Sequence, residues 1–234
     1  MPTVIDCSDS SALLGGMRQA RQAIARGELV VLPTDTVYGV GADAFNAAAV
    51  QRLLDAKGRG RNQPPPVLIG SANALAALVS EVPEAVTKLV EVFWPGGLTI
   101  ILPAQPTLRW DLGDTHGTVA VRMPDLHVAQ ELLLETGPMA VSSANLTGRP
   151  AAQNAQEAVD MLGDSISVYL DGGQVATGVA STIIDATLLV HGAELGDLQA
   201  PVVRVLRDGA ITRAQLREVL GDLLEPDPEG GLPA

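Results

Sequence analysis

The 234-residue chain has a single cysteine, Cys7, so neither an intrachain disulfide framework nor a cysteine-rich zinc site can form within it. Aromatic residues amount to 3%, and a chain that is 47% hydrophobic must therefore build its core from Val, Leu, Ile and Ala. Lysine is nearly missing: of 15 basic residues, 13 are Arg, and only Lys57 and Lys88 are Lys. Against 27 acidic residues this leaves a formal charge of −12. Such a surface repels nucleic acid at long range, which excludes a nonspecific nucleic-acid coat but leaves room for a local cationic pocket. No apolar run approaches the roughly 20 residues that cross a bilayer. The start, MPTVIDCSDS, lacks the basic and apolar regions of a secretory signal. The expectation is a soluble cytoplasmic protein with no membrane contact. His116, His127 and His191 are isolated from carboxylates and cysteine, so no protein-built metal site is expected. Cys7 has no adjacent base to activate it. Neither G-x-x-x-x-G-K-[ST], nor G-x-S-x-G, nor G-x-G-x-x-G occurs.

What is present alternates between helical and strand periods. Leu13, Met17, Ala20 and Ile24 share a helical face over residues 10–26, and Gly27 stops it. Glu28–Leu32 reads as a buried strand. Asn46 is placed to cap a helix bearing Val50, Leu53 and Leu54. Residues 57–66, KGRGRNQPPP, fit neither helix nor central strand. Val67–Gly70, Leu98–Leu102, Thr118–Arg122, Met139–Ser142, Val168–Leu170, Thr182–Asp185 and Val202–Leu206 read as strands. Pro83 opens a helix with Val86, Leu89, Val90 and Phe93 on one face, and Asp125 is positioned to cap another. Thr212 and Gln215 have the spacing of a capping box for a last helix. The tail EPDPEGGLPA is expected to be disordered. The mixture predicts one α/β domain over residues 1–209, followed at 210–234 by a helix and an acidic tail. Residues 104–117 and 171–181 are long loops, the kind that form binding segments.

Five polar segments lie at predicted strand edges. Pro33–Gly39 (PTDTVYG) offers the hydroxyls of Thr34, Thr36 and Tyr38 where open α/β sheets bind ligands, and equally fits a polar turn. Lys57, Arg59 and Arg61 alternate with glycines; in an extended chain all three point one way and suit an anion such as phosphate. A solvated basic loop, or a patch on RNA, has the same pattern. Ser142–Asn145 with Thr147-Gly148 suits a ribose or phosphate, or an ordinary capping turn. Ser181-Thr182 precedes Ile183-Ile184-Asp185. Arg122 ends an apolar strand and needs an anionic partner, either a ligand carboxylate or a protein Asp.

Together, P-T-D-T-V-Y-G, K-G-R-G-R, S-S-A-N-x-T-G at 142–148 and S-T-I-I-D at 181–185, in this order, resemble the YrdC/Sua5 family of threonylcarbamoyl-AMP synthases over about residues 10–209. The resemblance implies a YrdC-like fold: a twisted mixed open sheet with flanking helices around a large concave cationic cavity. It implies that L-threonine, bicarbonate (or CO2) and ATP are joined into threonylcarbamoyl-AMP with release of pyrophosphate, the first step of t6A modification of tRNA. It also implies roles. Lys57, Arg59 and Arg61 are the catalytic cations, with Lys57 and Arg61 on the nucleotide. Thr34, Tyr38, Arg122 and Ser181 hold threonine. Thr118, Ser143, Asn145 and Arg204 face the nucleotide, and Mg2+ arrives on the ATP phosphates. On the same implication, tRNA binds weakly or not at all, and the product passes transiently to the tRNA threonylcarbamoyl transferase complex. Lys57→Ala is expected to slow the reaction without disturbing the fold. Gly60 and Arg61 stand where family members often carry K-x-R-P, so the register of the cations departs from the pattern. The short, single-domain form is expected. The rival reading is a noncatalytic YrdC-like module that binds double-stranded RNA or tRNA. A hydrogenase-maturation carbamoyl-transfer domain is disfavoured by the single cysteine.

Overall fold

The computed structural model describes residues 3–191 and 202–227. The first half of the chain forms β1 (Thr3–Asp6), α1 (Ser10–Ala25), β2 (Val30–Leu32), β3 (Gly39–Asp43), α2 (Ala47–Lys57), β4 (Val67–Leu68), α3 (Leu75–Leu78), α4 (Glu84–Phe93) and β5 (Leu98–Pro103). The second forms β6 (Thr118–Arg122), α5 (His127–Thr136), β7 (Met139–Ser143), α6 (Ala155–Leu162), β8 (Val168–Asp171), β9 (Thr182–Asp185), α7 (Leu188–His191), β10 (Arg204–Arg207) and α8 (Arg213–Leu220).

Among the described residues, ten strands join one mixed sheet in the order β1-β8-β2-β3-β7-β4-β6-β5-β9-β10. β8 is parallel to both β1 and β2, β4 to β6, and β5 to β9; the other neighbours are antiparallel. Strand alternation assigns the helices to faces. Val30 and Leu32 of β2 pack with Met17, Ala20 and Ile24 of α1 and Leu132 and Leu133 of α5. Val31, between them, packs with Leu53 and Leu54 of α2 and Ala158 and Leu162 of α6. A third cluster joins Ile100 and Leu102 of β5 to Val86 and Leu89 of α4 and to Leu216 and Leu220 of α8. The C-terminal helix thus shares the main core. Its capping box is formed: Thr212 accepts from Gln215 N, and the Gln215 side chain returns to the Thr212 backbone.

Three local readings change. β3 was not evident as a strand because GVGAD has weak strand propensity. Its glycines are steric requirements: a Cβ at Gly39 would lie 2.6 Å from Val141 Cγ1, and one at Gly41 2.5 Å from Met139 Cε. Asp125 does not cap α5. The helix starts after Leu126 without a side-chain cap, and the Asp125 N–H instead donates to Asp35 Oδ1 at 2.9 Å. α2 extends through Lys57 and ends on Gly58 in the left-handed region (φ +62°), so residues 57–61 are not an extended run. The expected disorder of the tail falls largely on residues 228–234, outside the described residues. Among the described residues no helix is long and apolar enough to cross a membrane.

Candidate active site

Two adjoining cavities, of about 310 and 150 Å³, open where these strand ends meet. Arg59 and Ser143 line both. The larger also takes in Thr34, Tyr38, Thr118, Arg122, Ser181 and Arg207, and the smaller Lys57, Asn145 and Thr147. Among the described residues neither lining contains an Asp or a Glu.

The β2–β3 connection is folded on its own hydroxyls. Thr34 Oγ1 donates to the Val37 carbonyl at 2.6 Å, accepts from Thr36 N at 3.2 Å and lies 3.0 Å from Thr36 Oγ1. Both threonines are buried. The Tyr38 hydroxyl is turned elsewhere: it donates to the Gly173 carbonyl at 2.6 Å and accepts from Gly172 N at 2.9 Å. It therefore ties down the loop after β8, and burial pushes its pKa up.

Arg122, at the end of β6, is 6% exposed. Its Nε donates to the Gly96 carbonyl, Nη1 to Thr36 Oγ1 (both 2.9 Å) and Nη2 to Asp35 Oδ1. Of the two partners left open by the sequence, the structure supplies the protein Asp. Burial lowers the Arg122 pKa, opposed by Asp35. These bonds engage three of its five N–H donors, and the side chain still reaches the cavity.

Lys57 is 3% exposed. Its ammonium donates to the Ser143 carbonyl, to the Asn145 carbonyl at 2.6 Å and to Asn145 Oδ1 at 3.4 Å. Asn145 is held in turn by bonds from Nδ2 to the Leu146 and Arg149 carbonyls. Burial, and then Arg59, lowers the Lys57 pKa to about 8. Lys57 is thus part of the packed frame that fixes the loop after β7, and its truncation would not be structurally silent as expected. Arg59 donates from Nη1 to Ser142 Oγ at 2.8 Å and from Nε to Gln63 Oε1 at 3.1 Å. Thr118 Oγ1 donates to the Thr115 carbonyl at 2.8 Å.

Two expected residues stay outside. Arg61 is exposed and pairs with Asp111 at 2.7 Å and Asp114 at 3.8 Å. The left-handed Gly58 breaks the extended run on which a common direction for Lys57, Arg59 and Arg61 depended. Arg204 pairs with Asp185 at 2.8 Å. Arg207 lines the cavity instead, its guanidinium donating to the Ser181 carbonyl at 2.6 and 2.9 Å and to Ser181 Oγ at 2.9 Å. Partial burial, then Arg122 and Arg59, lowers its pKa, so the three guanidiniums feel one another. Thr99 Oγ1, 2.8 Å from Ser181 Oγ, completes this corner. A threonine inside the apolar strand LTIIL was the available signal for Thr99. For Arg207 the signal was ambiguous, because strand alternation opposes residues 204 and 207 and a register shift intervenes between Val205 and Arg207.

A ten-stranded mixed sheet with an arginine-bearing cleft at its strand ends defines a class. The Sua5/YciO/YrdC family model, described as "Telomere recombination", matches residues 22–195, and the chain belongs to this family. Among its relatives, the "Putative threonylcarbamoyl-AMP synthase" of Mycobacterium leprae (strain TN) is 48% identical over 221 residues, covering 94% of this chain and 95% of that protein. The threonylcarbamoyl-AMP synthase of Bacillus subtilis (strain 168) is 38% identical over 88% of this chain and 56% of its own length. The crystal structure of Pyrococcus abyssi Sua5 complexed with L-threonine superposes with a TM-score of 0.81 at 32% identity, covering 97% of this chain and 63% of that one. The chain therefore spans somewhat over half of these two longer relatives and nearly all of the mycobacterial one.

Proposed function

We propose that the protein is a threonylcarbamoyl-AMP synthase, which joins L-threonine, bicarbonate (or CO2) and ATP and releases pyrophosphate. The observation that carries this reading is Arg59, which lines both cavities while neither lining offers a carboxylate. The names of the relatives and a related chain solved with L-threonine support it.

Attack of carboxylated threonine on the α-phosphate gathers negative charge at one point. Catalysis then depends on holding two reactants together and on cations placed before the reaction begins. In our reading, threonine occupies the larger cavity. Arg122 presents its unengaged N–H groups to the threonine carboxylate, and Thr34 and Ser181 supply hydroxyls. Tyr38 acts at one remove, through the loop it ties. The nucleotide faces Ser143 and Asn145 in the smaller cavity and its junction, and reaches Thr118 in the larger. Arg59 meets the phosphates there, Lys57 supports the loop, and Arg207 takes the place expected for Arg204. Among the described residues no three His, Cys, Asp or Glu side chains gather as metal ligands. In the same reading Mg2+ rides on the ATP phosphates, since Mg2+ commonly keeps several waters and few protein ligands. In the same reading the reaction runs in the cytoplasm and its product passes to the tRNA-modifying transferase.

Among the described residues no side-chain N or O that is shut off from solvent lacks a partner. Pyrophosphate release from a mixture of protein, ATP, bicarbonate and L-threonine tests the reading. Release should need threonine; release that is unchanged without it removes the assignment.

A further inference from the structure

Arg61 has no place in either cavity lining, yet it is bound to one loop in several ways. Beyond its ion pairs with Asp111 and Asp114, its carbonyl accepts from Asp114 N at 2.9 Å. Gly113 makes that approach possible: its φ is +103°, and a Cβ there would stand 2.6 Å from the Arg61 carbonyl oxygen. Gly113 N also donates to Asp111 Oδ1 at 3.1 Å. Next to Asp111, the Trp110 ring stacks on Phe45, with centroids 5.5 Å apart and planes at 25°. Phe45 and Arg61 belong to the segments before and after α2, so the loop between β5 and β6 is fastened to both. From that loop Leu112 and Thr115 line the larger cavity, and Leu112 is buried. Arg59, which lines both cavities, is two residues from Arg61.

We propose that Arg61 is a positioning residue that latches the 104–117 loop to the 57–66 segment, fixing the cavity wall at Leu112 and Thr115 against the backbone that carries Arg59. The kinetic consequence rests on the synthase reading; the structural one does not. The opposing role, a phosphate ligand that leaves its aspartates when ATP arrives, makes an opposite prediction. Neutralising Asp111 would then release Arg61 and leave activity unchanged or higher, whereas for a latch it removes half of the device.

The test compares Arg61→Ala, Asp111→Asn and their double mutant in two assays: threonine-dependent pyrophosphate release, and hydrogen exchange at the Gly113 and Asp114 amides. The pair is solvent-exposed, so each single change should lower kcat/KM for ATP by about two- to fivefold. The change should appear in KM, because a merely structural loss would reduce kcat through less active protein. The double mutant should lose less than the product of the two single losses, since both single changes remove the shared Arg61–Asp111 pair. Exchange at the two amides should speed up by a similar factor, and Arg61→Lys should restore part of both effects. The proposal is overturned if Arg61→Ala is strongly impaired while Asp111→Asn matches wild type, or if neither single change alters exchange at residues 113 and 114. If wild-type protein releases no pyrophosphate with threonine, the synthase reading falls, and the exchange data still decide the latch.

Discussion

Arg59 and Arg61 stand two residues apart in one basic segment, and their surroundings differ in kind. Arg59 donates to a serine hydroxyl and a glutamine amide, both neutral. Arg61 lies against two carboxylates. A guanidinium with neutral partners keeps its charge available to a ligand, whereas one between aspartates has already largely spent it. The same contrast separates Arg207, bonded to Ser181, from Arg204, paired with Asp185. In a chain with 27 acidic and 15 basic residues, carboxylate partners are abundant. Among the cations left without one, Lys57 borders the smaller cavity, Arg207 the larger and Arg59 both. Arg122 is the mixed case, with Asp35 on one side and the larger cavity on the other. The largest effect should come from removing the unpaired charge at the junction. Arg59→Ala should lower kcat by about 10²- to 10³-fold, the usual cost of one preorganised stabilising donor. Arg59 is only partly buried, so the melting temperature should move by no more than about 4 °C. Steady-state pyrophosphate release beside a thermal melt separates the two. A loss no larger than that of Arg61→Ala would erase the distinction.

Lys57 sharpens the contrast through protons. Its ammonium is surrounded by neutral oxygens, and burial holds its pKa near about 8, against 10.5 ordinarily. Near pH 8 a good part of the population is neutral. A triphosphate brought alongside favours the charged form, so ATP binding at pH 8 should take up a fraction of a proton. Calorimetry in buffers of different ionisation enthalpy measures that uptake, and it should vanish in Lys57→Met. The sign for stability is the reverse of the usual gain from a paired lysine. Between pH 8 and 10.5 the unfolded chain binds the proton that the folded one has released, so stability rises with pH across this window through Lys57. Below pH 8 both states are charged and the slope disappears. No uptake, or uptake that persists in Lys57→Met, would mean that the phosphates lie away from Lys57.

How much of this fold and site the amino-acid sequence itself carries follows from the range of each signal. Local chemistry read well: Asn46 caps α2, Thr212 and Gln215 form their box, and the strands from Leu98, Thr118, Met139 and Thr182 lie where their apolar periods put them. The ordered polar motifs converge in space, since Thr34, Lys57, Arg59, Thr118, Arg122, Ser143, Asn145 and Ser181 each line at least one of the two cavities. What failed was direction. Side-chain alternation assumed an extended chain at residues 57–61, and one left-handed glycine redirected Arg61. Arg204 is held outside both cavity linings by Asp185, and Arg207, beyond the register shift that follows Val205, lies in the larger one. β3 was hidden because its glycines answer to Val141 and Met139, contacts about 100 residues away in the chain. Partners such as Asp111 for Arg61 depend on loop packing that no local pattern encodes.

The smallest expected effect tests the same distinction at β10. Arg204 is half exposed and its Nη2 pairs with Asp185 Oδ2 at 2.8 Å, outside both cavity linings. Asp185 has other bonds to keep it in place, accepting from Thr187 N at 3.0 Å and Thr187 Oγ1 at 2.6 Å. An ion pair of this exposure is worth about 0.2–1 kcal/mol. Arg204→Ala should therefore cost at most that in stability and change kcat/KM by less than about twofold. Arg207 is three residues further on, and it grips both the carbonyl and the hydroxyl of Ser181 at the cavity edge. The identical truncation there should weaken turnover while leaving the β9–β10 pairing to the backbone. Assaying Arg204→Ala and Arg207→Ala side by side, with matched melts, measures whether partner chemistry or mere proximity in sequence decides which arginine serves the site. Equal losses would show that β10 acts only as a unit and that a carboxylate partner is no mark of an idle arginine.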